Sequence, residues 1–409
     1  MLKPLGEKAR AAAHKLALAG SKRDDALRLI AQMLLSQQHT LLQANQLDMD
    51  AGADLNQALR DRLLLTEKRI ADIAQAVEEI RALPDPVGEL LWEDTRPNGL
   101  RLRRVAVPLG VIAVIFEARP NVTLDAAAMC LKSGNAVILR GGKEAIHTNT
   151  ALTQLVRDAL HQAGLPEDCV QLVTDTTRQS ALELMRLDGY VDLLIPRGGK
   201  ALIQSALQNA TVPVLQTGEG VCHVYVDRQA DIDMSRKVTF NAKVNRPSTC
   251  NAAECLLVHR DIAAEALPLI AADLMQAGVE LRGDEAARAL VPGMVPATQD
   301  DWGSEYNRLI MAVKVVADMD EAIAHIARYG TQHSEAIITK DQAAADRFLQ
   351  EVDAAAVYHN ASTRFTDGGE FGFGAEIGIS TQRLHCRGPV GIRALCTSKF
   401  LVEGDGQTR

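Results

Sequence analysis

The sequence is poor in aromatic residues and has no paired cysteine motif. Aromatic side chains make up 3% of the 409 residues, so the core must be built largely from aliphatic side chains. The seven cysteines are an odd number and form no C-x-x-C pair, which argues against a disulfide framework and against a zinc cassette. We therefore expect reduced thiols, a cytoplasmic location and no metal site.

Long apolar segments are also missing. The longest nearly uncharged apolar stretch, residues 105–116, spans 12 residues and contains Pro108 and Gly110, whereas a membrane-spanning helix needs about 20. The first 20 residues lack the apolar run of a signal peptide. A net charge of −8 argues against non-specific binding to nucleic acid. The expectation is a soluble acidic protein.

The chain does have the composition of an ordinary globular protein, with 47% apolar and 23% charged residues. At roughly 150 residues per domain, its length suggests two or three domains. The N-terminal region reads as helices, because Ile70, Ile73, Val77 and Ile80 recur at helical spacing. Further along, short β-branched runs alternate with helical stretches in two successive blocks. This order predicts two doubly wound parallel-sheet domains.

A short sequence is repeated after two of the predicted strands. Residues 140–143 and 197–200 both read Arg-Gly-Gly-Lys, and each precedes a predicted helix. Glycines at the carboxyl end of a strand, followed by a helix N-terminus, suit a phosphate group. The additional cations suit a ribose 2′-phosphate. The alternative is that both segments are ordinary turns with solvated basic side chains. The G-x-G-x-x-G motif of standard dinucleotide-binding folds is absent from this region. The predicted cofactor contacts are Arg140, Gly141, Gly142, Lys143, Gly198 and Gly199.

Cys250 is the cysteine that the sequence context favours as a nucleophile. It lies between the two predicted domains in the sequence, and small-molecule sites concentrate between domains. Arg246 is four residues away, and a nearby cation stabilises a thiolate. Cys222 and Cys386 lie in loop-like contexts and stay open as alternatives. The cysteines expected to be buried, because they lie in or beside apolar runs, are Cys130, Cys169, Cys255 and Cys396.

Two further segments remain open between a structural and a functional role. His325 and Tyr329 share a predicted helix face, with His333 shortly after them, but no H-E-x-x-H pattern accompanies them. Hydrogen-bonded structural histidines are the favoured interpretation. The loop 367–379 contains five glycines, and it either closes over a ligand or is a structural excursion.

Four segments together resemble one family of enzymes. The segments are FEARPNVT (116–123), KSGNAVILRGG (132–142), RPSTCN (246–251) and VADMDEAIAHIARYGTQHSEAI (316–337). They resemble the gamma-glutamyl phosphate reductases, which are similar in turn to the aldehyde dehydrogenase superfamily. The resemblance extends over nearly the whole chain, and it implies an aldehyde-dehydrogenase-like α/β fold.

The resemblance implies a reaction and its cofactor. The family reduces L-glutamyl 5-phosphate with NADPH to L-glutamate 5-semialdehyde and phosphate, in the second step of proline synthesis from glutamate. By the same resemblance Cys250 is the nucleophile, Glu305 holds the nicotinamide ribose, and Arg140 lies where the superfamily has a lysine near the adenosine ribose. Asn121 is the nearest match to the oxyanion-hole asparagine, and Ala118 is the alternative aligned position.

The remaining site residues are less closely specified. Arg119 and Arg246 are the expected contacts of the phosphoryl group or the substrate carboxylate, since guanidinium groups suit both. A salt bridge on the surface or between the domains is the alternative role for each. Thr217 occupies the position of the glutamate that activates water in hydrolytic aldehyde dehydrogenases, and Glu219 lies two residues away. An enzyme that releases its acyl group to phosphate does not need that base. The alternative function is the NAD(P)-dependent oxidation of another small aldehyde.

The resemblance also implies a domain plan and partners. We expect an NADP-binding domain at 1–245 that includes a hairpin at 100–115, a catalytic domain at 246–365, and a glycine-rich loop with an oligomerisation strand at 366–409. The expected assembly is a homo-oligomer, a dimer or higher. A glutamate kinase that delivers the unstable acyl phosphate is a further possible partner.

Overall fold

The computed structural model describes residues 2–117 and 119–409. The chain forms two compact units, which are described separately. Unit 1 comprises the chain up to residue 217 together with 372–378 and 390–409, and unit 2 comprises 218–371 and 379–389. The compact units therefore divide at 217/218, whereas the sequence predicts a boundary at 245. No helix in the described part of the chain has the length and apolar character that crossing a membrane requires.

Unit 1 begins with five helices and continues as alternating strands and helices. In the fifth helix, the predicted apolar positions Ile70, Ile73, Val77 and Ile80 are all buried. The helices are α1 (Lys3–Ala17), α2 (Lys22–Ser36), α3 (Gln38–Ala51), α4 (Gln57–Leu63), α5 (Glu67–Ala82), α6 (Pro120–Lys132), α7 (Ile146–Gln162), α8 (Arg178–Met185) and α9 (Lys200–Asn209). Its strands up to residue 197 are β1 (Leu90–Thr95), β2 (Arg101–Pro108), β3 (Val111–Phe116), β4 (Ala136–Arg140), β5 (Val170–Leu172) and β6 (Leu193–Arg197).

A four-stranded parallel sheet forms the core of unit 1, in the order β5-β4-β3-β6. All six residues of β3 are buried, which is typical of a parallel strand covered on both faces. The alternation of strands and helices that the sequence predicts for this region is confirmed as a parallel sheet.

Unit 2 contains the second parallel sheet. Its helices are α10 (Ile232–Val244), α11 (Arg260–Gln276), α12 (Glu285–Leu290), α13 (Met319–Tyr329) and α14 (Gln342–Glu351). Its strands are β7 (Cys222–Val226), β8 (Ala253–His259), β9 (Glu280–Gly283), β10 (Val295–Pro296), β11 (Ile310–Val316), β12 (Ser334–Ile338), β13 (Ala356–His359), β14 (Ile379–Ser380) and β15 (Gly388–Pro389). Seven strands form the parallel sheet β10-β9-β11-β8-β7-β12-β13, and β14 and β15 form a separate antiparallel pair. Because β7 pairs with β8 and β12, residues 222–244 belong to unit 2 rather than to unit 1.

The chain returns to unit 1 as β16 (Cys396–Glu403), which pairs antiparallel with β2. With β1 they form a three-stranded sheet in the order β1-β2-β16. The predicted hairpin at 100–115 is wrong, because β2 belongs to this sheet and β3 to the parallel one. Pro108 ends β2 and Gly110 follows with φ +130°, a backbone conformation that favours glycine. The chain therefore changes sheets at this point instead of folding back.

The N-terminus of α7 is closed by a carboxylate from another helix. Asp48 of α3 is buried and accepts hydrogen bonds from the backbone N–H groups of His147 at 3.1 Å and Thr148 at 2.7 Å. It also accepts a hydrogen bond from the hydroxyl of Thr148 at 2.6 Å. The first N–H groups of a helix have no partner within the helix, so this carboxylate supplies one.

We expect Asp48→Ala to lower the free energy of unfolding by about 1–3 kcal/mol, because it leaves buried N–H groups unpaired. Asp48→Asn should lower the free energy of unfolding by a smaller amount, because the amide oxygen of asparagine can still accept a hydrogen bond from these N–H groups. Differential scanning calorimetry of the purified variants measures the effect. Asp50→Ala is the matched control, because Asp50 lies on the same helix but is exposed. Equal effects of Asp48→Ala and Asp50→Ala would contradict the capping role.

Candidate active site

Cys250 lies in the turn between α10 and β8, at the amino end of the parallel sheet of unit 2. The turn is closed by backbone hydrogen bonds from Thr249 to Arg246 at 3.3 Å and from Ala252 to Thr249 at 3.0 Å. The Cys250 side chain is half-buried. Cys250 is thus placed at the amino end of an interior strand of the sheet, and the residue is partly exposed.

The backbone carbonyl of Cys250 is packed against a glycine. A Cβ atom on Gly220 would lie 1.5 Å from the Cys250 oxygen, so no other residue fits here without moving Cys250. The same oxygen accepts a hydrogen bond from the thiol of Cys222, with an S···O distance of 3.2 Å. The backbone N–H of Gly220 donates to Glu305 Oε1 at 2.9 Å. Cys250 and Glu305 are therefore connected through one glycine.

The segment that follows β13 contacts the turn at residues 245–252, which carries Cys250 and is called the nucleophile turn after its predicted role. Arg364 donates through Nη1 to Thr249 Oγ1 at 3.0 Å and to the side-chain oxygen of Asn251, and through Nε to Asn245 Oδ1 at 3.3 Å. Thr363 Oγ1 donates to the backbone oxygen of Asn251 at 2.7 Å. Arg364 therefore contacts the residues on both sides of Cys250.

Two guanidinium groups share this region. Burial and the neighbouring Arg246 lower the pKa of Arg364, whereas Asp367 and Cys250 act in the opposite direction. Two cations that repel each other beside a thiol form an environment that favours an anion. The sequence singles out Arg246 for such a role but misses Arg364, which comes from a segment more than a hundred residues later.

A buried ion pair lies behind the turn. Lys243, at the end of α10, donates to Glu254 Oε2 of β8 at 2.5 Å, and both side chains are fully buried. Burial raises the pKa of Glu254 to about 7, against the opposing effect of Lys243. Glu254 Oε1 also accepts the backbone N–H of Asn307 at 3.4 Å, and the Asn307 amide donates to Glu305 Oε2 at 3.0 Å. The pair thereby braces the loop that carries Glu305.

The other cysteines are less suited to nucleophilic attack. The four expected to be buried are buried, and no disulfide links any two cysteines of the described residues. Of the two alternatives left open, Cys222 is fully buried and burial raises the pKa of its thiol well above the usual value. Burial also raises the pKa of Cys386, to about 11. The structure therefore leaves Cys250 as the best-placed nucleophile.

The histidines that the sequence leaves open are buried side chains of unit 2. His325 packs against the rings of Trp302 and Tyr329, and burial, together with the neighbouring His223, lowers its pKa to about 3. His333 is fully buried and its pKa falls to about 4 for the same main reason. Nδ1 of the nearby His223 is hydrogen-bonded to Oε2 of Glu335 at 2.9 Å. Burial acts to lower the pKa of His223, but the Glu335 carboxylate and the neighbouring Cys255 together outweigh it and raise the value to about 10.

In unit 1, the first Arg-Gly-Gly-Lys sequence ends β4 and enters a short 3-10 helix, Lys143–Ala145, before α7. Arg140 donates to the backbone oxygens of Thr176 at 2.6 Å and Thr177 at 2.9 Å, while its buried Nε has no partner among the described residues. Burial lowers the pKa of Arg140. Lys143, three residues further along the chain, is exposed, and Gly142 is buried. These cations and the unpaired N–H fit a phosphate-bearing cofactor.

Both sets of glycines are also required by the protein itself. A Cβ on Gly141 would lie 2.2 Å from the Asn149 side chain, and one on Gly198 would lie 2.7 Å from Glu117. The backbone N–H of Gly199, at the N-terminus of α9, donates to Glu117 Oε1 at 3.3 Å. An anion bound to this N–H must displace a carboxylate, so the second repeat is a poorer phosphate site than the first.

The remaining sequence-predicted residues lie in unit 1. Asn121 is exposed in the first turn of α6, and its side-chain N–H donates to Asp125 at 3.0 Å. The alternative, Ala118, lies outside the described residues. Arg119 is exposed at the N-terminus of α6. The hydroxyl of Thr217 is buried and donates to the backbone oxygen of Pro196 at 2.8 Å, so it holds the chain in place.

Comparisons with known proteins identify the family. Residues 5–290 match the aldehyde dehydrogenase family model. A gamma-glutamyl phosphate reductase of Moorella thermoacetica is 55% identical over 407 residues, covering 99% of this chain and 97% of the relative. The crystal structure of a gamma-glutamyl phosphate reductase from Thermotoga maritima has a TM-score of 0.98 at 49% identity, covering 100% of this chain and 99% of that one.

The chain belongs to the gamma-glutamyl phosphate reductases, within the aldehyde dehydrogenase family.

The family resemblance drawn from the sequence is thus confirmed, as is the aldehyde-dehydrogenase-like fold. An acetylating aldehyde dehydrogenase from Geobacillus thermoglucosidasius, 18% identical with a TM-score of 0.72 and covering 100% of this chain and 97% of its own, shares the fold alone. Like other members of the aldehyde dehydrogenase family, this protein is an oxidoreductase that works with a nicotinamide cofactor.

We expect Gly220→Ala to reduce kcat/KM at least about 100-fold, because a displacement of about 1 Å at the nucleophile costs that much. The added methyl group would meet the Cys250 carbonyl at 1.5 Å. Gly303→Ala is the control, since its Cβ would find its nearest atom at 3.9 Å. Circular dichroism establishes that both variants fold. A folded Gly220→Ala enzyme with full activity would contradict the close packing.

Proposed function

We propose that this enzyme reduces L-glutamyl 5-phosphate to L-glutamate 5-semialdehyde and phosphate, with NADPH as the reductant. The observation that carries the proposal is the partly exposed Cys250 in a turn that contains Arg246 and is contacted by Arg364. A thiolate is the nucleophile that an acyl phosphate needs, and two guanidinium groups suit the phosphate that leaves. The names of the relatives support the substrate. The product cyclises to 1-pyrroline-5-carboxylate, so the reaction is the second step of proline synthesis from glutamate.

The chain's own residues supply the covalent step. The Cys250 sulfur attacks the acyl carbon, the bond from that carbon to the phosphate oxygen breaks, and the acyl group remains as a thioester on Cys250. Arg364 is held by Thr249 and Asn251, so it needs little reordering when the phosphate binds. Arg246 is exposed nearby in the turn and supplies a second cation. Splitting the reduction at a thioester divides one difficult step into two easier ones.

We propose that Arg140 and Lys143 of unit 1 bind NADPH. By the family resemblance we assign Glu305 to the nicotinamide ribose. A bound NADPH supplies the hydride that converts the thioester to the aldehyde. Arg140 and Lys143 suit the 2′-phosphate that distinguishes NADPH from NADH. The Glu305 carboxylate can accept hydrogen bonds from ribose hydroxyl groups, and its position is fixed by Gly220 and Asn307. On this proposal unit 1 is the cofactor-binding unit and unit 2 the catalytic one.

The partners remain proposals as well. We propose a homo-oligomer formed through the three-stranded sheet of unit 1, because that sheet exposes large apolar side chains. These are Leu90, Leu91, Trp92, Phe400 and Val402. A glutamate kinase that supplies the unstable acyl phosphate remains a proposed partner. A cytoplasmic location is proposed because the chemistry needs Cys250 as a thiol.

The reaction is tested in reverse, because the acyl phosphate is too labile to supply easily. Pyrroline-5-carboxylate, in equilibrium with the semialdehyde, is mixed with NADP⁺ and enzyme, and NADPH absorbance is followed with and without inorganic phosphate. We expect NADPH to form only with phosphate and not at all with Cys250→Ala. Turnover without phosphate would indicate a hydrolytic aldehyde dehydrogenase instead. Turnover in neither condition would contradict the proposed activity.

The same assay tests Arg364. We expect Arg364→Gln to lower kcat/KM for phosphate by about 10- to 100-fold, which corresponds to the loss of one charged hydrogen bond. Arg364→Lys should recover part of this loss, because it restores the charge but not the guanidinium fork. Arg347→Gln is the control, since Arg347 is exposed and pairs with Asp320 and Glu351. An unchanged KM for phosphate in Arg364→Gln would assign Arg364 a purely structural role.

A further inference from the structure

A buried cluster of nitrogen and sulfur donors lies in unit 2, on the elements that support the nucleophile turn. It consists of His223 on β7, Cys255 on β8 and His325 on α13, whose residues are 0%, 1% and 5% exposed. One nitrogen of each imidazole and the Cys255 sulfur lie within 4.8 Å of one another. Two imidazoles and a thiol are ligands that zinc-type ions prefer.

The spacing of these donors suits a single ion. The Cys255 sulfur lies 3.8 Å from Nε2 of His325. In a tetrahedral zinc site, with Zn–S near 2.3 Å and Zn–N near 2.0 Å, a sulfur and a nitrogen are about 3.5 Å apart. The other donor pairs lie within 4.8 Å, so side-chain movements of about 1 Å bring all three donors to coordination distance.

The His223 ring is oriented as a metal ligand usually is. Its Nδ1 is paired with Glu335 Oε2 at 2.9 Å, and the same oxygen accepts the backbone N–H of His223 at 2.8 Å. A carboxylate on the far nitrogen is the common second contact of a metal-bound histidine. The opposite nitrogen, Nε2, is buried and has no hydrogen-bond partner in the described part of the chain. A buried nitrogen without a partner is costly unless something binds it.

The His325 ring is also held in place, by the aromatic rings and the imidazole that surround it. The Trp302 ring lies 5.4 Å away and the Tyr329 ring 4.7 Å away, centroid to centroid, and the His223 ring lies edge-on at 5.5 Å. These rings restrict the orientation of the imidazole and exclude bulk water. A site with fixed ligands loses little side-chain entropy when an ion binds.

We propose that His223, Cys255 and His325 bind one zinc-type divalent ion. Three protein donors leave the fourth position of a tetrahedral ion to a water molecule. The thiolate of Cys255 and the carboxylate of Glu335 balance the two positive charges. Binding replaces the proton on the imidazole of His223, as it does at histidine ligands generally.

The ion would connect β7, β8 and α13 beneath the nucleophile turn. Cys222, next to His223, donates to the Cys250 carbonyl, and Cys255 lies on the strand that follows Cys250. The site therefore stabilises the framework that positions Cys250, and it does not depend on the identity of the substrate. The sequence predicts no metal site, because the three donors come from widely separated segments without a ligand motif.

The test uses full-length enzyme with Cys250→Ser, so that the accessible thiol cannot bind metal. The protein is freed of metal with a chelator and titrated with Co²⁺ and with Zn²⁺. We expect one ion per chain, a thiolate-to-cobalt charge-transfer band in the near ultraviolet, and a higher melting temperature with Zn²⁺. The absence of stoichiometric binding in this background overturns the proposal without any cluster variant.

Variants of the cluster locate the ion. Cys255→Ser, added to Cys250→Ser, should abolish the charge-transfer band, and His325→Gln should weaken binding at least about tenfold. Glu335→Gln should weaken it by about 10- to 100-fold, the usual effect of removing such a supporting carboxylate. Cys130→Ser is the matched control, since Cys130 is a buried thiol of unit 1. If Cys255→Ser does not fold, His325→Gln decides the matter. Binding unchanged in the folded cluster variants overturns the proposal.

Discussion

The packing of the Cys250 carbonyl against Gly220 is the constraint on which the arrangement around Cys250 depends. Only glycine leaves room for that oxygen, and the same glycine donates its N–H to Glu305. The Cys250 oxygen also accepts a hydrogen bond from the thiol of Cys222, the first residue of β7. The turn that carries Cys250, the start of β7 and the loop that carries Glu305 are therefore joined by direct contacts, so a displacement of one of them alters the position of Cys250.

Buried charges surround this body, and burial makes them costly when they lose their partners. Lys243 and Glu254 join the end of α10 to β8, and Glu335 orients His223 at the start of β7. Each pair lies near the amino ends of the strands, where the sheet would otherwise fray. The pairs contribute a defined geometry at that edge, since a hydrophobic replacement would not direct the loop that carries Glu305.

Local patterns predicted much of the fold but few of the contacts in the site. Helical spacing in α5 and the uniformly apolar β3 were sufficient to predict those elements and the parallel sheet. The expected domain boundary is at 245, whereas the hydrogen bonds of β7 place the division earlier. Sequence context and the family motif are enough to propose Cys250 as the nucleophile, and that role stays a prediction. Arg364 was missed because its contact with Asn251 spans 113 residues, and no local pattern reports such a contact.

The repeated Arg-Gly-Gly-Lys sequence shows why a motif alone does not define a site. In the first copy, the chain enters a 3-10 turn and Arg140 keeps an unpaired buried N–H. In the second copy, the chain enters α9 directly, and Glu117 already occupies the N–H of Gly199. The glycines permit the same close approach in both places, but the neighbouring side chains decide whether an anion can bind. Charge and hydrogen-bond satisfaction around the turn, rather than its four letters, therefore favour the first copy as the phosphate site.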